Sequence, residues 1–113
     1  MKIVKAVIRP ELLYEVMKAL EKEGFKGITV VDVVGRGKEG GIQLGERGYE
    51  ELAKTLIVVA VEDEQASKVV EVIIKQSNTG MFGDGKVFVC PLDEVWTIRT
   101  KRKEQEVSYE NKH

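Results

Sequence analysis

The sequence predicts a single α+β domain made of two β-α-β units. Short apolar and β-branched stretches alternate with two stretches in which apolar residues recur at helical spacing. A stretch rich in glycine and charge, "GRGKEGGIQLGERGYEEL", separates the two units. The length of 113 residues also fits one domain.

The first unit begins with a strand, "MKIVKAVI", over Met1–Ile8. Pro10 ends this strand and suits the first turn of a helix, because its fixed φ fits there and no amide donor is lost. The helix follows from one apolar stripe at Leu13, Val16, Met17 and Leu20, and Gly24 is expected just beyond its end. The β-branched stretch Ile28–Val34 predicts the second strand.

The second unit begins with a continuously apolar strand, Thr55–Val61, which is typical of burial on both faces. Asp63 is expected to cap the following helix. The stripe of that helix consists of Ala66, Val69, Val70, Ile73 and Ile74. Lys86–Cys90 and the short Val95–Ile98 complete the predicted strands, and the charged stretch 101–113 is expected to be a disordered tail beyond a domain of residues 1–100.

This order of elements predicts a ferredoxin-like β-α-β-β-α-β sandwich with both helices on one face of a single sheet. The other face of the sheet then has no cover within the chain. Because strands as apolar as Thr55–Val61 are seldom left in water, we expect this face to pack against further copies of the chain.

Composition excludes several classes of function. The 18 basic and 19 acidic residues leave a net charge of -1, so no overall positive field favours nucleic acid. No apolar run is long enough to insert into a membrane, and the first residues lack a signal-peptide pattern, so we expect a cytoplasmic protein. Cys90 is the only cysteine and His113, at the end, the only histidine. Protease chemistry that depends on an internal histidine is therefore not expected.

Two glycine patterns suggest a phosphate site. The first, Gly35–Gly40, has the spacing GxGxxG directly after a strand. A dinucleotide-binding loop requires a helix to begin there, and no helical pattern does. An ordinary loop is therefore the competing interpretation.

The second pattern, "GMFGDGK", runs from Gly80 to Lys86 and is called here the glycine loop. It has the letters of a P-loop, but a helix precedes it, a strand follows it, and Val87 replaces the hydroxyl residue that would hold magnesium. A P-loop NTPase is therefore not expected. The glycines still permit a concave anion-binding backbone, with Lys86 as a point charge. Asp84 would repel phosphate unless it points away, so it is expected to order the turn. Anion binding and a plain turn before a strand both remain open.

Three stretches together resemble the PII nitrogen-regulatory signalling proteins over about residues 1–100. They are "TGMFGDGKVFV", "RPELLYEVMKALEKEGFKGITVVDVVGRGKEGGI" and "WTIRT". The resemblance implies a trimer that binds ATP or ADP in the clefts between subunits and 2-oxoglutarate beside ATP through magnesium. It also implies a target-binding T-loop at about residues 37–51. PII proteins are switches and not enzymes.

The same resemblance implies roles for individual residues. Phosphates would be surrounded by Gly83, Asp84, Gly85, Lys86 and Arg99. The adenosine side of the cleft would be lined by Thr29, Gly35, Gly37, Lys38 and Ala60. 2-Oxoglutarate and magnesium would be held by Glu39, Gly41 and Lys54, where the plain alternative for Lys54 is a solvated lysine before a strand.

The chain also departs from the common PII pattern. Thr97 stands where a second arginine is usual, which removes a guanidinium from the phosphate contacts. Glu39 replaces a glutamine; a carboxylate ligates magnesium well but repels dianionic 2-oxoglutarate. The T-loop is shorter, and Tyr49 does not align with the tyrosine that is usually uridylylated.

The short loop and "WTIRT" resemble the nitrogenase-associated PII subgroup, and within it the first of two unlike paralogs that act together. This implies inhibition of dinitrogenase by direct binding, relieved by 2-oxoglutarate with ATP. Alternatives are a general PII protein that acts on an ammonium channel or glutamine synthetase, or an ATPase, for which Glu39 is the nearest base. Balanced charge opposes RNA binding, and a single cysteine with a terminal histidine opposes metal sensing.

Overall fold

A computed structural model describes residues 1–36 and 51–104 of the chain. A four-stranded antiparallel sheet has the order β2-β3-β1-β4, and two helices connect its strands. The bounds are β1 Lys2–Ile8, α1 Leu13–Lys22, β2 Ile28–Arg36, β3 Glu51–Val61, α2 Ala66–Ser77 and β4 Lys86–Pro91. A separate two-stranded sheet pairs β5 Trp96–Thr97 with β6 Arg102–Lys103. This arrangement confirms the ferredoxin-like α+β fold.

The core lies between the helices and one face of the sheet. Along a strand, alternate side chains point to opposite faces, so β1 and β3 each contribute every second residue to the core. Those residues and the helix residues that cover them are Val4, Ala6, Ile8, Ile57, Val59, Val16, Leu20, Val69 and Ile73. The opposite face, called here the open face, includes Leu56, Val58 and their cross-strand neighbours Lys5, Val7 and Phe88.

Within one chain only one face of β3 is buried, as the predicted sandwich requires, and burial of the other face by copies of the chain stays a prediction. Ile57 and Val59 are buried under the helices, whereas Leu56 and Val58 are only half-buried and Ala60 is exposed. The reason is that both helices pack on the same face of the sheet. The open face therefore remains apolar and uncovered within the chain.

The start of α2 also differs from the prediction. Asp63 does not cap the helix, because its carboxylate pairs with the amino group of Met1 at 2.9 Å and a 3-10 turn leads into the helix. The buried stripe is shifted: Val72 and Ser77 are buried, whereas Ile74 is 48% exposed. At α1, by contrast, Gly24 has φ 94° and follows the last turn, as predicted.

The C-terminal strand is shorter than predicted and does not join the main sheet. Trp96–Thr97 pairs instead with Arg102–Lys103, across a turn in which Lys101 has φ 60°. The tail expected from residue 101 is therefore ordered in its first four residues. Residues 105–113, and residues 37–50 of the expected T-loop, lie outside the described residues, and Glu51 already begins β3.

Candidate functional site

Three segments meet where β1 ends, β3 begins and β4 begins. Ile8 of β1 pairs with Thr55 of β3, so the next residues, Arg9 and Lys54, lie at the same end of the sheet. On the other side of β1, Val7 pairs with Lys86, the first residue of β4. The glycine loop ends at this point. The sheet register thereby brings the loop to Lys54, which precedes Gly83 by 29 positions, and to Arg9, which precedes Asp84 by 75 positions.

Lys54 lies on the open face and is 8% exposed. Its ammonium donates a hydrogen bond to the carbonyl oxygen of Gly83 in the glycine loop. Burial lowers the pKa of Lys54, and the Arg9 guanidinium lowers it further, while Glu11 and Asp84 raise it. The interpretation of Lys54 as an ordinary solvated lysine is therefore wrong, because its ammonium is held against the loop.

Asp84 is the organising residue of the glycine loop. Its Oδ2 accepts hydrogen bonds from the backbone amides of Thr79 at 2.8 Å and Gly80 at 3.0 Å. Its Oδ1 accepts from the Thr79 hydroxyl and from Arg9 Nε at 3.2 Å. These bonds, above all the one from the Thr79 hydroxyl, lower the pKa of Asp84 to about 2. The prediction that Asp84 orders the turn is confirmed.

The three glycines of the loop are required by its backbone. Gly80, Gly83 and Gly85 have φ of 80°, 96° and 104°, a region that other residues rarely adopt. A Cβ at Gly85 would lie 1.7 Å from the carbonyl oxygen of Val7, so only glycine fits against β1 there. A Cβ at Gly80 would meet nothing within 4 Å, which leaves this side of the loop open.

The structure brings together only part of the predicted site. Lys54, Gly83, Asp84, Gly85 and Lys86 share one end of the sheet, and Gly35 lies near it, since it pairs with Leu52 just beyond the Val33–Lys54 pair.

The other predicted residues lie elsewhere. Ala60 pairs with Ile3 at the far end, about 20 Å from Lys54 along β3, and Thr29 pairs with Val58. Arg99 lies in the exposed turn between β5 and β6. Gly37, Lys38, Glu39 and Gly41 lie outside the described residues. One chain therefore does not bring all the described site residues together.

Arg9 and Thr79 are contacts of the loop that the sequence analysis missed. Arg9 Nε donates to the Asp84 carboxylate, and Arg9 Nη2 donates to the carbonyl oxygen of Phe82 at 2.8 Å. A signal for Arg9 exists in the sequence, because a residue before proline favours an extended backbone and Pro10 thus holds it in line with β1. Thr79 carries no comparable signal.

The chemistry of this end of the sheet suits an anion. Lys54 and Lys86 are cations at a glycine loop, Arg9 is paired with Asp84, and the carboxylate of Asp84 is turned into the loop, where donors surround it. Backbone amides of such loops bind phosphate oxygens, and the cations add charge-assisted bonds.

Comparison with known proteins identifies the family of this chain. The family described as "Nitrogen regulatory protein P-II" matches residues 1–102. The chain is 48% identical over 101 residues to "Nitrogen fixation nifHD region glnB-like protein 1" of Methanococcus maripaludis, covering 89% of this chain and 96% of that protein. It is 44% identical over 100 residues to the protein of the same name in Methanothermococcus thermolithotrophicus, covering 88% and 95%.

A third relative, "Nitrogen regulatory protein P-II 2" of Methanothermobacter thermautotrophicus, is 48% identical over 104 residues, covering 88% of this chain and 90% of that protein. In the described part of the chain, neither helix has the length and apolar character needed to cross a membrane. The nif-region relatives match the nitrogenase-associated subgroup that the short loop indicates. The chain belongs to the P-II family of nitrogen regulatory proteins, which are signalling regulators and not enzymes.

Proposed function

We propose that this chain is a nucleotide and 2-oxoglutarate sensor that regulates nitrogen fixation by reversible inhibitory binding to dinitrogenase. The observation that supports it best is the hydrogen bond between the Lys54 ammonium and the Gly83 carbonyl. This bond places a buried cation directly against a loop suited to phosphate. A nucleotide phosphate at the loop and a carboxylate bound beside it at Lys54 would therefore lie close together.

The residues present fit ATP or ADP. Gly83, Gly85 and Lys86 would hold the phosphates, with Arg99 as an added cation, and Asp84 would keep the loop in shape. Gly85 packs against the Val7 carbonyl, which places the end of the loop on β1, and donors that the fold already positions cost little to organise on binding. Ala60, about 20 Å from Lys54 along β3, and Thr29, which pairs with Val58, would complete the site from a neighbouring subunit. Gly35, with Gly37 and Lys38 after it in the sequence, would line the adenosine side from the subunit that supplies the loop.

Lys54 would bind the distal carboxylate of 2-oxoglutarate. Glu39 and Gly41 would complete this part of the site, and magnesium held there would supply positive charge to offset that of the keto acid and the ATP phosphates. The low exposure of Lys54 favours this role, because a charge-assisted bond is stronger away from bulk water.

We further propose that the chain assembles as a homotrimer or as a hetero-oligomer with a second PII paralog. The support is the open face, on which half-buried apolar residues such as Leu56, Val58 and Val7 remain uncovered. The names of the nif-region relatives favour dinitrogenase as the target. We place the protein in the cytoplasm, with nitrogenase.

The test is a dinitrogenase assay with this protein, its paralog and ATP, titrated with 2-oxoglutarate. We expect inhibition without 2-oxoglutarate and recovery of activity as it is added, only when ATP and magnesium are both present. Calorimetry on the same samples would measure ligand binding separately from inhibition. If ATP and 2-oxoglutarate bind but dinitrogenase activity does not change, dinitrogenase is not the target, and the proposed role as a sensor of the two ligands still stands.

The relative named P-II 2 favours a second candidate, a general PII regulator of an ammonium channel or of glutamine synthetase. A pull-down from nitrogen-fixing cells, with and without 2-oxoglutarate, separates the two. Recovery of dinitrogenase that 2-oxoglutarate abolishes supports the first function, and recovery of either other protein supports the second.

A further inference from the structure

Arg9 donates hydrogen bonds to the glycine loop at two points. Its Nε donates to Asp84 Oδ1 at 3.2 Å, and its Nη2 donates to the Phe82 carbonyl oxygen at 2.8 Å. Its guanidinium also lies against Gly83, where a Cβ would come within 3.3 Å of Arg9 Nη2. Arg9 therefore contacts three consecutive residues of the loop and spans its tightest part.

The backbone of Arg9 is restrained by its neighbours. It directly follows the last residue of β1, and its backbone is extended, with φ -65° and ψ 132°. Pro10 restricts it to this region, and the Arg9 carbonyl accepts a hydrogen bond from the amide of Leu12 at 3.1 Å. Because Arg9 directly follows β1, its guanidinium bonds the loop at a defined place relative to the sheet.

Among the described residues, the loop is also attached at its last residue, Lys86, which pairs with Val7 of β1. Asp84 bonds locally to Thr79 and Gly80, which closes the turn but does not attach it to the sheet. Gly85 rests on Val7, and Lys54 reaches Gly83. If a ligand carboxylate binds the Lys54 ammonium, as proposed above, Lys54 divides its three donors between that carboxylate and the Gly83 carbonyl, whereas both printed bonds of Arg9 go to the loop.

We propose that Arg9 is a positioning residue, which holds the glycine loop in its phosphate-binding shape through Asp84 and Phe82 and does not itself touch the nucleotide. The expected effect of Arg9 on nucleotide affinity rests on the proposed function. The expected effect of Arg9 on the shape of the loop does not. The planar guanidinium of Arg9 suits this role, because it donates two separate hydrogen bonds in fixed directions, which a lysine ammonium cannot reproduce.

The experiment compares Arg9→Met with Arg9→Lys and Asp84→Asn in the full chain. Lys26→Met is the matched control, since it removes an exposed cation from a loop. NMR measures hydrogen exchange at the amides of Thr79 and Gly80 and the titration of the Asp84 carboxyl, both without nucleotide. Calorimetry measures ATP binding.

We expect Arg9→Met to speed exchange at these two amides, to raise the pKa of Asp84, and to weaken ATP binding about tenfold. Arg9→Lys should recover only part of each effect although it keeps the charge. The effects of Arg9→Met and Asp84→Asn on ATP affinity should be non-additive, because one residue acts through the other. Lys26→Met should match the wild type.

A direct contact predicts a different pattern. If Arg9→Met weakens ATP binding while loop exchange and the Asp84 titration stay as in the wild type, Arg9 binds the nucleotide and the proposal is wrong. Unchanged exchange, titration and affinity would also overturn it. If the wild type binds no nucleotide but Arg9→Met still loosens the loop, the positioning role stands and the proposed function fails. Should Arg9→Met not fold, the same comparisons apply to Arg9→Lys.

Discussion

The ammonium of Lys54 and the carbonyl of Gly83 are hydrogen-bonded partners, 29 positions apart in the sequence. The bond connects the beginning of β3 to the glycine loop that precedes β4. Since Lys54 is nearly inaccessible to water, an anion that binds its ammonium must lie at the loop. Occupancy of Lys54 and the shape of the loop are thereby linked.

Replacing Lys54 with methionine should separate the two ligands. The methionine keeps most of the apolar stem but removes the charge, so 2-oxoglutarate affinity in the presence of ATP and magnesium should fall roughly 10- to 100-fold. ATP affinity should fall much less. Calorimetry measures both, with Lys22→Met, an exposed helix lysine, as the control. Undiminished 2-oxoglutarate binding, or relief of dinitrogenase as in the wild type, would show that Lys54 is not the anchor.

Lys86→Ala should weaken ATP binding and leave the fold intact. Lys86 is exposed at the first position of β4, and one charge-assisted contact to phosphate is commonly worth about 1.5–3 kcal/mol. The expected loss is therefore about one to two orders of magnitude in affinity. Calorimetry tests this alongside circular dichroism. An ATP affinity equal to that of the wild type would remove the glycine loop from the nucleotide site.

Gly85→Ala should destabilise the domain, and Gly27→Ala should not. A Cβ at Gly85 would overlap the Val7 carbonyl and would also require φ near 104°, whereas a Cβ at Gly27 meets nothing within 4 Å. We expect Gly85→Ala to lower the free energy of unfolding by about 2 kcal/mol or more. Gly80→Ala, strained in φ but without a clash, should lie between them at about 1 kcal/mol. Urea unfolding gives the order, and equal effects at Gly85 and Gly27 would contradict the close approach to β1.

Asp84 should contribute to the acid dependence of stability. Its pKa falls from 3.8 to about 2 on folding, so the folded state binds the proton less readily than the unfolded chain. Its stabilising contribution is therefore complete above the unfolded pKa and is lost as the pH falls through the folded pKa. Urea unfolding from about pH 6 to about pH 2 should show the wild type losing its advantage over Asp84→Asn toward the acid end. A constant difference across this range would mean that folding does not shift the titration of Asp84.

Leu56→Glu should break the assembly. Leu56 is half-buried in the middle of the open face, where a charge cannot be accommodated between packed sheets. Light scattering should give a trimer or larger assembly for the wild type and a smaller species for the variant. Tyr14→Glu is the control, since Tyr14 is 69% exposed on α1, on the covered side of the sheet. A wild-type monomer with native circular dichroism would refute both the assembly and the intersubunit site.

Local patterns were sufficient to predict most of the fold. The helical stripe ending at Leu20, the positive φ at Gly24 and the order of helices and strands along the chain follow from residue spacing and backbone sterics. The start of α2 was predicted wrongly because Asp63 has a competing partner, the Met1 amino group, that lies far away in the sequence. The hairpin of Trp96–Thr97 with Arg102–Lys103 was missed because strands of two residues carry no measurable pattern.

The sequence by itself determined the α+β class, the family, and the glycine loop, since three glycines near one lysine are a local chemical signal. Only the tertiary structure decided which cations reach that loop and where the Asp84 carboxylate points. Arg9 and Lys54 arrive there through the pairing of β1 with β3 and β4, over separations that no local pattern encodes. The tertiary structure also decided how far each residue of β3 is buried within one chain, Lys54 among them, because burial depends on where both helices and the glycine loop pack and not on how apolar the strand is.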